Sequence, residues 1–248
     1  MRTNIIAHRG SRSTHPENTL EAFSEAIRVK SDGIELDVHL SKDGEVVVIH
    51  DETTNRTTGV AGIVAEMSLA ELKELDAGSF FSPNFAASKI PTLVEVLELL
   101  DQVGFNGILN IELKTDKTAY VGIVQKVYRF VQAKSRNYSV VYSSFNYDTL
   151  IEMKKIDDQN QIALLFETNN RNLIELDGCY PVEAWHPHYK WAKLRLLNEV
   201  PNLPMRVWTV NDSDDIRYFI KAKVAAIITD YPERALEIRA TMVVEEKV

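Results

Sequence analysis

The chain has 248 residues, of which 45% are hydrophobic, enough to bury one large core in a soluble globular protein. Its formal net charge of -8 argues against a nucleic-acid or anionic-membrane surface. An anionic ligand would have to be met by locally placed cations or a metal. The single cysteine, Cys179, excludes an intramolecular disulfide and reads as a small core or loop residue. No apolar stretch approaches the roughly 18 residues of a membrane span. Met1-Arg2-Thr3-Asn4 opens no secretory leader, so a cytoplasmic location is expected.

Val-, Ile- and Leu-rich runs alternate with segments of helical period. Parallel strands are predicted at about 4–9, 33–39, 107–114, 138–144, 161–166, 183–188, 205–210 and 225–229. Asn18 to Ile27 puts Leu20, Phe23 and Ile27 on one helical face, and Pro91-Thr92 opens a helix running to Leu100. Further helices are expected at about 118–134, 147–155, 190–198, 212–221 and 232–239. This rhythm predicts a single domain over 1–248, a (β/α)8 TIM barrel. One element breaks the alternation. Lys42-Asp43-Gly44-Glu45 is a hairpin signal, so 46–50 should fold back antiparallel on 34–40 and bring His50 beside Leu36 and Asp37. That hairpin arm and a small insertion after strand 2, about 46–90 in all, would lie over the catalytic face. The insertion carries a helical stretch near Leu69–Leu75 and the aromatics Phe80, Phe81 and Phe85, which form a candidate lid or simply pack the insertion down.

Several strands end in charged or imidazole side chains. Residues i and i+2 of a strand share a face, so Glu35 pairs with Asp37 and Glu112 with Lys114. Three carboxylates meeting at a barrel mouth repel one another unless a cation joins them. An all-oxygen set suits Mg²⁺, Ca²⁺ or Mn²⁺. The alternative is pairing with Lys or Arg across the barrel. His8 and His50 titrate near neutrality and are the acid/base candidates. His15, His39, His186 and His188 read as structural, although one of the last two could line the mouth. Arg9 offers a planar fork for a phosphate, or a salt bridge to a nearby acid, and Gly10 after it would let the backbone approach a ligand. Lys114 adds a point charge. Trp208 could present a ring face to a small organic group or serve as rim core.

Taken together, the segments resemble the glycerophosphodiester phosphodiesterase family. The pieces are His8-Arg9-Gly10, Pro16-Glu17-Asn18-Thr19, Glu35-Leu36-Asp37, His50-Asp51, Arg56-Thr57-Thr58, Ile90-Pro91-Thr92-Leu93, Glu112-Leu113-Lys114, Ser144-Phe145, Trp208-Thr209-Val210-Asn211 and Thr229-Asp230, in the family's order. The resemblance implies a barrel related to the phosphatidylinositol-specific phospholipases C. It implies metal-dependent hydrolysis of small glycerophosphodiesters, such as glycerophosphocholine and glycerophosphoethanolamine, to glycerol 3-phosphate and an alcohol. By that likeness His8 and His50 are the acid/base pair, and Glu35, Asp37 and Glu112 hold one divalent ion. Arg9 and Lys114 contact the phosphate, and Trp208 walls the glycerol end. Three alternatives compete: a lysophospholipase D-type relative using the insertion aromatics, a catalytically silent phosphodiester-binding barrel, and a metal-dependent aldolase or isomerase. Oligomeric state is left open.

Overall fold

A computed structural model describes residues 2–167, 182–196 and 203–245. Among them eight parallel strands build the barrel: β1 (Asn4–Ala7), β2 (Gly33–Leu40), β4 (Ile108–Leu113), β5 (Ser139–Ser144), β6 (Gln161–Phe166), β7 (Ala184–Pro187), β8 (Arg206–Val207) and β9 (Ala226–Thr229). They run in the order β7-β6-β5-β4-β2-β1-β9-β8. The circle closes between β7 and β8, where Trp185 N donates to Pro204 O at 2.9 Å and Trp208 N to Pro187 O at 3.1 Å. Strand β8 is shorter than expected because beyond Val207 its pairing passes to single bridges such as His188–Trp208. Cys179 lies outside the described residues. No helix among the described residues is long and apolar enough to cross a membrane.

The sandwiching helices begin where their caps allow. In α1 (Leu20–Arg28) the Thr19 hydroxyl accepts from Ala22 N. In α4 (Leu93–Gln102) Thr92 and Glu95 form a capping box. Helix α5 (Ile123–Gln132) starts later than the periodicity suggested, after Gly122 at φ 81°. Helices α6 (Tyr147–Ile156), α7 (Tyr189–Leu196) and α8 (Ser213–Lys221) follow their strands, and α9 (Pro232–Glu245) runs longer than expected. Short α2 (Asn55–Thr58) and α3 (Leu69–Glu74) lie in the insertion. Apolar residues fill two shells. Ile34, Leu36, Val38 and Tyr142 face the helices, whereas Val141, Ala163 and Ala184 pack together inside the barrel.

Strand β2 shows how alternation places the chemistry. Every residue from Gly33 to Leu40 is buried. Ile34, Leu36 and Val38 join the outer core, so Glu35 and Asp37 point the other way, into the barrel. The β4 register sets Asn110 opposite Glu35 and Glu112 opposite Asp37. The hairpin also forms. Strand β3 (Val46–Val48) pairs antiparallel with β2, and Ile49 N donates to Asp37 O at 3.2 Å, which carries His50 to the carboxylates.

Gly10 is required by packing against α1. At φ +80° its α-hydrogens face α1, and an added Cβ would stand 2.6 Å from the Ala22 carbonyl carbon. Gly10→Ala should therefore destabilise the fold by about 2 kcal/mol or more, measured by urea unfolding. A change below about 0.5 kcal/mol would refute this account of the turn.

Candidate active site

His8 follows β1, Glu112 lies near the end of β4 and Lys114 just past it, Trp208 follows β8 and Asp230 follows β9, so the strands deliver their functional groups to one face, the C-terminal end of the barrel. A cavity of about 490 Å³ opens there. Its walls include His8, Arg9, Glu35, His50, Glu112, Lys114 and Trp208, seven of the eight residues singled out from the sequence. The eighth, Asp37, lies beneath, 1% exposed. Phe80, Phe81 and Phe85 do not line the cavity. Phe85 instead packs at a tilt against His15, ring centres 5.0 Å apart, and borders a separate groove on α1.

Each candidate histidine is held by its own carboxylate. His8 Nδ1 lies 2.6 Å from Asp230 Oδ1, and His50 Nδ1 lies 2.5 Å from Asp51 Oδ1. A carboxylate on Nδ1 favours the tautomer with its proton there, leaving Nε2 to exchange a proton with a ligand. Burial, then the Arg9 charge, holds His8 below its ordinary pKa against the pull of Asp230. Burial also lowers His50, opposed by the Asp37 charge and aided by Arg9 and Lys114. The other described histidines are accounted for. His39 bonds Tyr120 Oη at 2.8 Å and the His50 carbonyl at 3.0 Å, and His186 is fully buried beside Arg206. His188 meets Trp208 edge-on at 5.2 Å and, like His186, stays off the cavity wall.

Glu35, Asp37 and Glu112 bring one oxygen each within 4.8 Å of one another. Burial, then repulsion from Asp37 and Glu112, pushes Glu35 well above the usual carboxylate range. Burial and Asp37 push Glu112 up to about 7 against the pull of Lys114. For Asp37 the charges of Arg9, His50 and Lys114 and the Asn18 amide overcome burial and bring it down to about 2. Arg9 and Lys114 therefore neutralise only part of the cluster, and a hard divalent ion fits the remaining all-oxygen set.

Both candidate anion contacts are already engaged with acids. Arg9 Nη1 donates to Glu17 Oε1 at 2.9 Å, its Nε lies 3.3 Å from Asp37 Oδ2, and its backbone N–H donates to Glu35 Oε2 at 2.9 Å. Lys114 Nζ donates to Glu112 Oε1 at 2.9 Å and sits 3.4 Å from His50 Nε2. Trp208 donates from its indole to the His186 carbonyl at 2.6 Å and meets Phe145 edge-on at 5.6 Å.

Sequence reasoning assigned no role to Asp51, Asp230, Glu17, Asn18, Arg12 or Arg56, although all but Arg12 stood inside the motif segments. An acid directly after His50 was a usable signal. Nothing local pairs His8 with Asp230, which is 222 residues away.

The chain is similar to known proteins in both sequence and fold. The sequence model of the glycerophosphoryl diester phosphodiesterase family matches residues 8–234. A glycerophosphodiester phosphodiesterase of Caldanaerobacter subterraneus subsp. tengcongensis is 39% identical, over 96% of this chain and 98% of that one. Another, from Bacillus altitudinis, is 37% identical over 97% and 99%. An Oleispira antarctica phosphodiesterase, solved in complex with its product sn-glycerol-3-phosphate, superposes with a TM-score of 0.85 at 27% identity, covering 96% of both chains.

Proposed function

Given that this chain belongs to the glycerophosphoryl diester phosphodiesterase family, we propose that it hydrolyses small glycerophosphodiesters, glycerophosphocholine and glycerophosphoethanolamine among them, to glycerol 3-phosphate and the free alcohol, using one divalent ion and the His8/His50 pair. The observation that carries this reading is the juxtaposition, in one cavity, of two carboxylate-held imidazoles with a buried three-carboxylate cluster.

Glu35, Asp37 and Glu112 would hold the ion, with Mg²⁺ or Ca²⁺ favoured and Mn²⁺ next. When bound, it supplies positive charge against the phosphodiester and against the charge that grows as the ester bond breaks. The protein supplies the rest. The Arg9 guanidinium and the Lys114 ammonium face the cavity and orient the phosphate while balancing the carboxylates. One histidine Nε2 takes the proton of the attacking hydroxyl, and the other delivers one to the leaving alkoxide. Asp51 and Asp230 steady the imidazolium on whichever histidine carries the proton, the acid before the step and the base after it. Trp208 and Phe145 offer an apolar wall to the glycerol carbons. Attack by the glycerol 2-hydroxyl would pass through a cyclic phosphate that water opens, whereas attack by water gives glycerol 3-phosphate at once.

A lysophospholipid would need an apolar channel for its acyl chain. The insertion aromatics lie off the cavity, so they do not supply one. The expected result is release of glycerol 3-phosphate from glycerophosphocholine that EDTA abolishes and added Mg²⁺, Ca²⁺ or Mn²⁺ restores, with lysophosphatidylcholine cleaved far more slowly. Faster cleavage of lysophosphatidylcholine would overturn the substrate assignment. A folded protein inactive with every ion would point to a silent binder.

A further inference from the structure

His8 and His50 both line the cavity, and a single buried carboxylate connects the groups that hold them. Glu17 lies between Pro16 and the α1 cap, and its side chain is only 2% exposed. It accepts four hydrogen bonds from three guanidiniums. Arg9 Nη1 reaches Oε1 at 2.9 Å, and Arg12 Nε reaches Oε2 at 2.8 Å. Arg56 reaches both oxygens, Nη1 to Oε2 at 2.9 Å and Nη2 to Oε1 at 2.7 Å. A carboxylate has about four lone-pair positions. All are used, so Glu17 has no capacity left for a substrate, and a ligand role is excluded by saturation. Its three arginines also hold it well below the usual carboxylate range despite burial.

Two of those arginines continue outward to the histidine partners. Arg56 grips Asp51 through Nε at 2.6 Å and Nη2 at 3.1 Å, and Asp51 holds His50. Arg12 Nη1 lies 3.4 Å from Asp230 Oδ2 and 3.5 Å from Oδ1, and Asp230 holds His8. We propose that Glu17 is a positioning residue that sets both imidazoles, one through Arg56 and Asp51, the other through Arg12 and Asp230. The two arms differ in strength. Asp230 has a second anchor in Asn211, which donates from Nδ2 to Oδ2 at 2.8 Å and accepts the Asp230 N–H at 2.9 Å. Among the described residues, Arg56 and His50 are the only side chains hydrogen-bonded to Asp51. His50 therefore depends on Glu17 more than His8 does.

This inference rests on the acid/base assignment above, and its test separates the two. The variants are Arg56→Lys, Arg12→Lys and Glu17→Gln, alone and combined, assayed on glycerophosphocholine with the ion that best supports wild-type turnover. Lysine keeps the charge but loses the two-edged fork. Arg56→Lys should lower kcat about tenfold or more, since orientation of an acid/base group carries much of its 10²- to 10⁴-fold effect. KM, metal affinity and melting temperature should stay near wild type. Arg12→Lys should cost less. In the Glu17→Gln background, Arg56→Lys should cost under about twofold, because the route it breaks is already broken. Equal cost in both backgrounds would overturn the proposal, leaving Arg56 acting on Asp51 alone. Should Glu17→Gln fail to fold, the Arg12→Lys/Arg56→Lys pair decides. The two arginines share Glu17, so a loss smaller than the product of the singles supports the link, and strict multiplication refutes it. A His50→Ala variant that keeps its turnover would instead sink the acid/base assignment on which the link depends.

Discussion

Replacing His8 or His50 with alanine should leave a folded protein whose kcat on glycerophosphocholine falls by about 10²- to 10⁴-fold, the usual worth of a positioned acid or base. The expectation is strong for both because each imidazole has one nitrogen committed to a carboxylate, at 2.6 Å from Asp230 and 2.5 Å from Asp51, and each lines the cavity. The double variant should lose little more than the worse single one, since a proton taken without one given completes no cycle, and groups acting as a unit are far from additive. His15→Ala is the control. His15 packs at a tilt against Phe85 beside α1, off the cavity, and its loss should change turnover by less than about twofold. Near-wild-type kcat in folded His8→Ala and His50→Ala would remove both from the chemistry and move the proton transfers to Lys114 or to water.

Most of the barrel was legible because its signals are local. Alternation along Gly33–Leu40 reveals which carboxylates face inward, and the Asp43-Gly44 turn reveals the fold-back that delivers His50. What was illegible depended on distance or on geometry that no pattern encodes. Asp230 reaches His8 only once β9 has closed beside β1. Glu17 looks like any acid ahead of a helix until Arg9 and Arg12 of its own loop and Arg56 of the insertion converge on it. Gly10 also has a packing reason that no pattern reveals, since an added Cβ there would meet the α1 backbone. The insertion aromatics, read as a lid or as packing, lie off the cavity, with Phe81 and Phe85 edge-on at 5.8 Å and Phe85 beside His15.

The largest effect should come from the ion. EDTA treatment should reduce turnover by about 10³-fold or more, because a bound cation contributes several kcal/mol of charge stabilisation. The carboxylates also predict how stability and metal affinity change with pH. Glu35 is raised well above the usual range and Glu112 to about 7, from an ordinary value of 4.5. An acid raised on folding binds more protons folded than unfolded between those two values. Its contribution to stability is therefore present at low pH and lost as pH climbs through the interval. The metal-free protein should melt at progressively lower temperature from about pH 5 to 7.5, by about 2–4 °C for each kcal/mol lost at this chain length. A divalent ion displaces the same protons, so its apparent affinity should rise about tenfold per pH unit for each proton displaced. Calorimetric titration near pH 6 in buffers of different ionisation enthalpy should register that release. Glu35→Gln separates the two consequences. The amide oxygen can still accept the Arg9 N–H that Glu35 now takes at 2.9 Å, while the repelling charge is gone. The variant should be more stable than the metal-free parent at pH 8 and should bind the ion at least about 10-fold more weakly, a gain in stability obtained by giving up the site. A variant less stable than the parent at pH 8, or metal affinity that does not change with pH, would mean that the three carboxylates are already balanced by Arg9 and Lys114 and call for no ion.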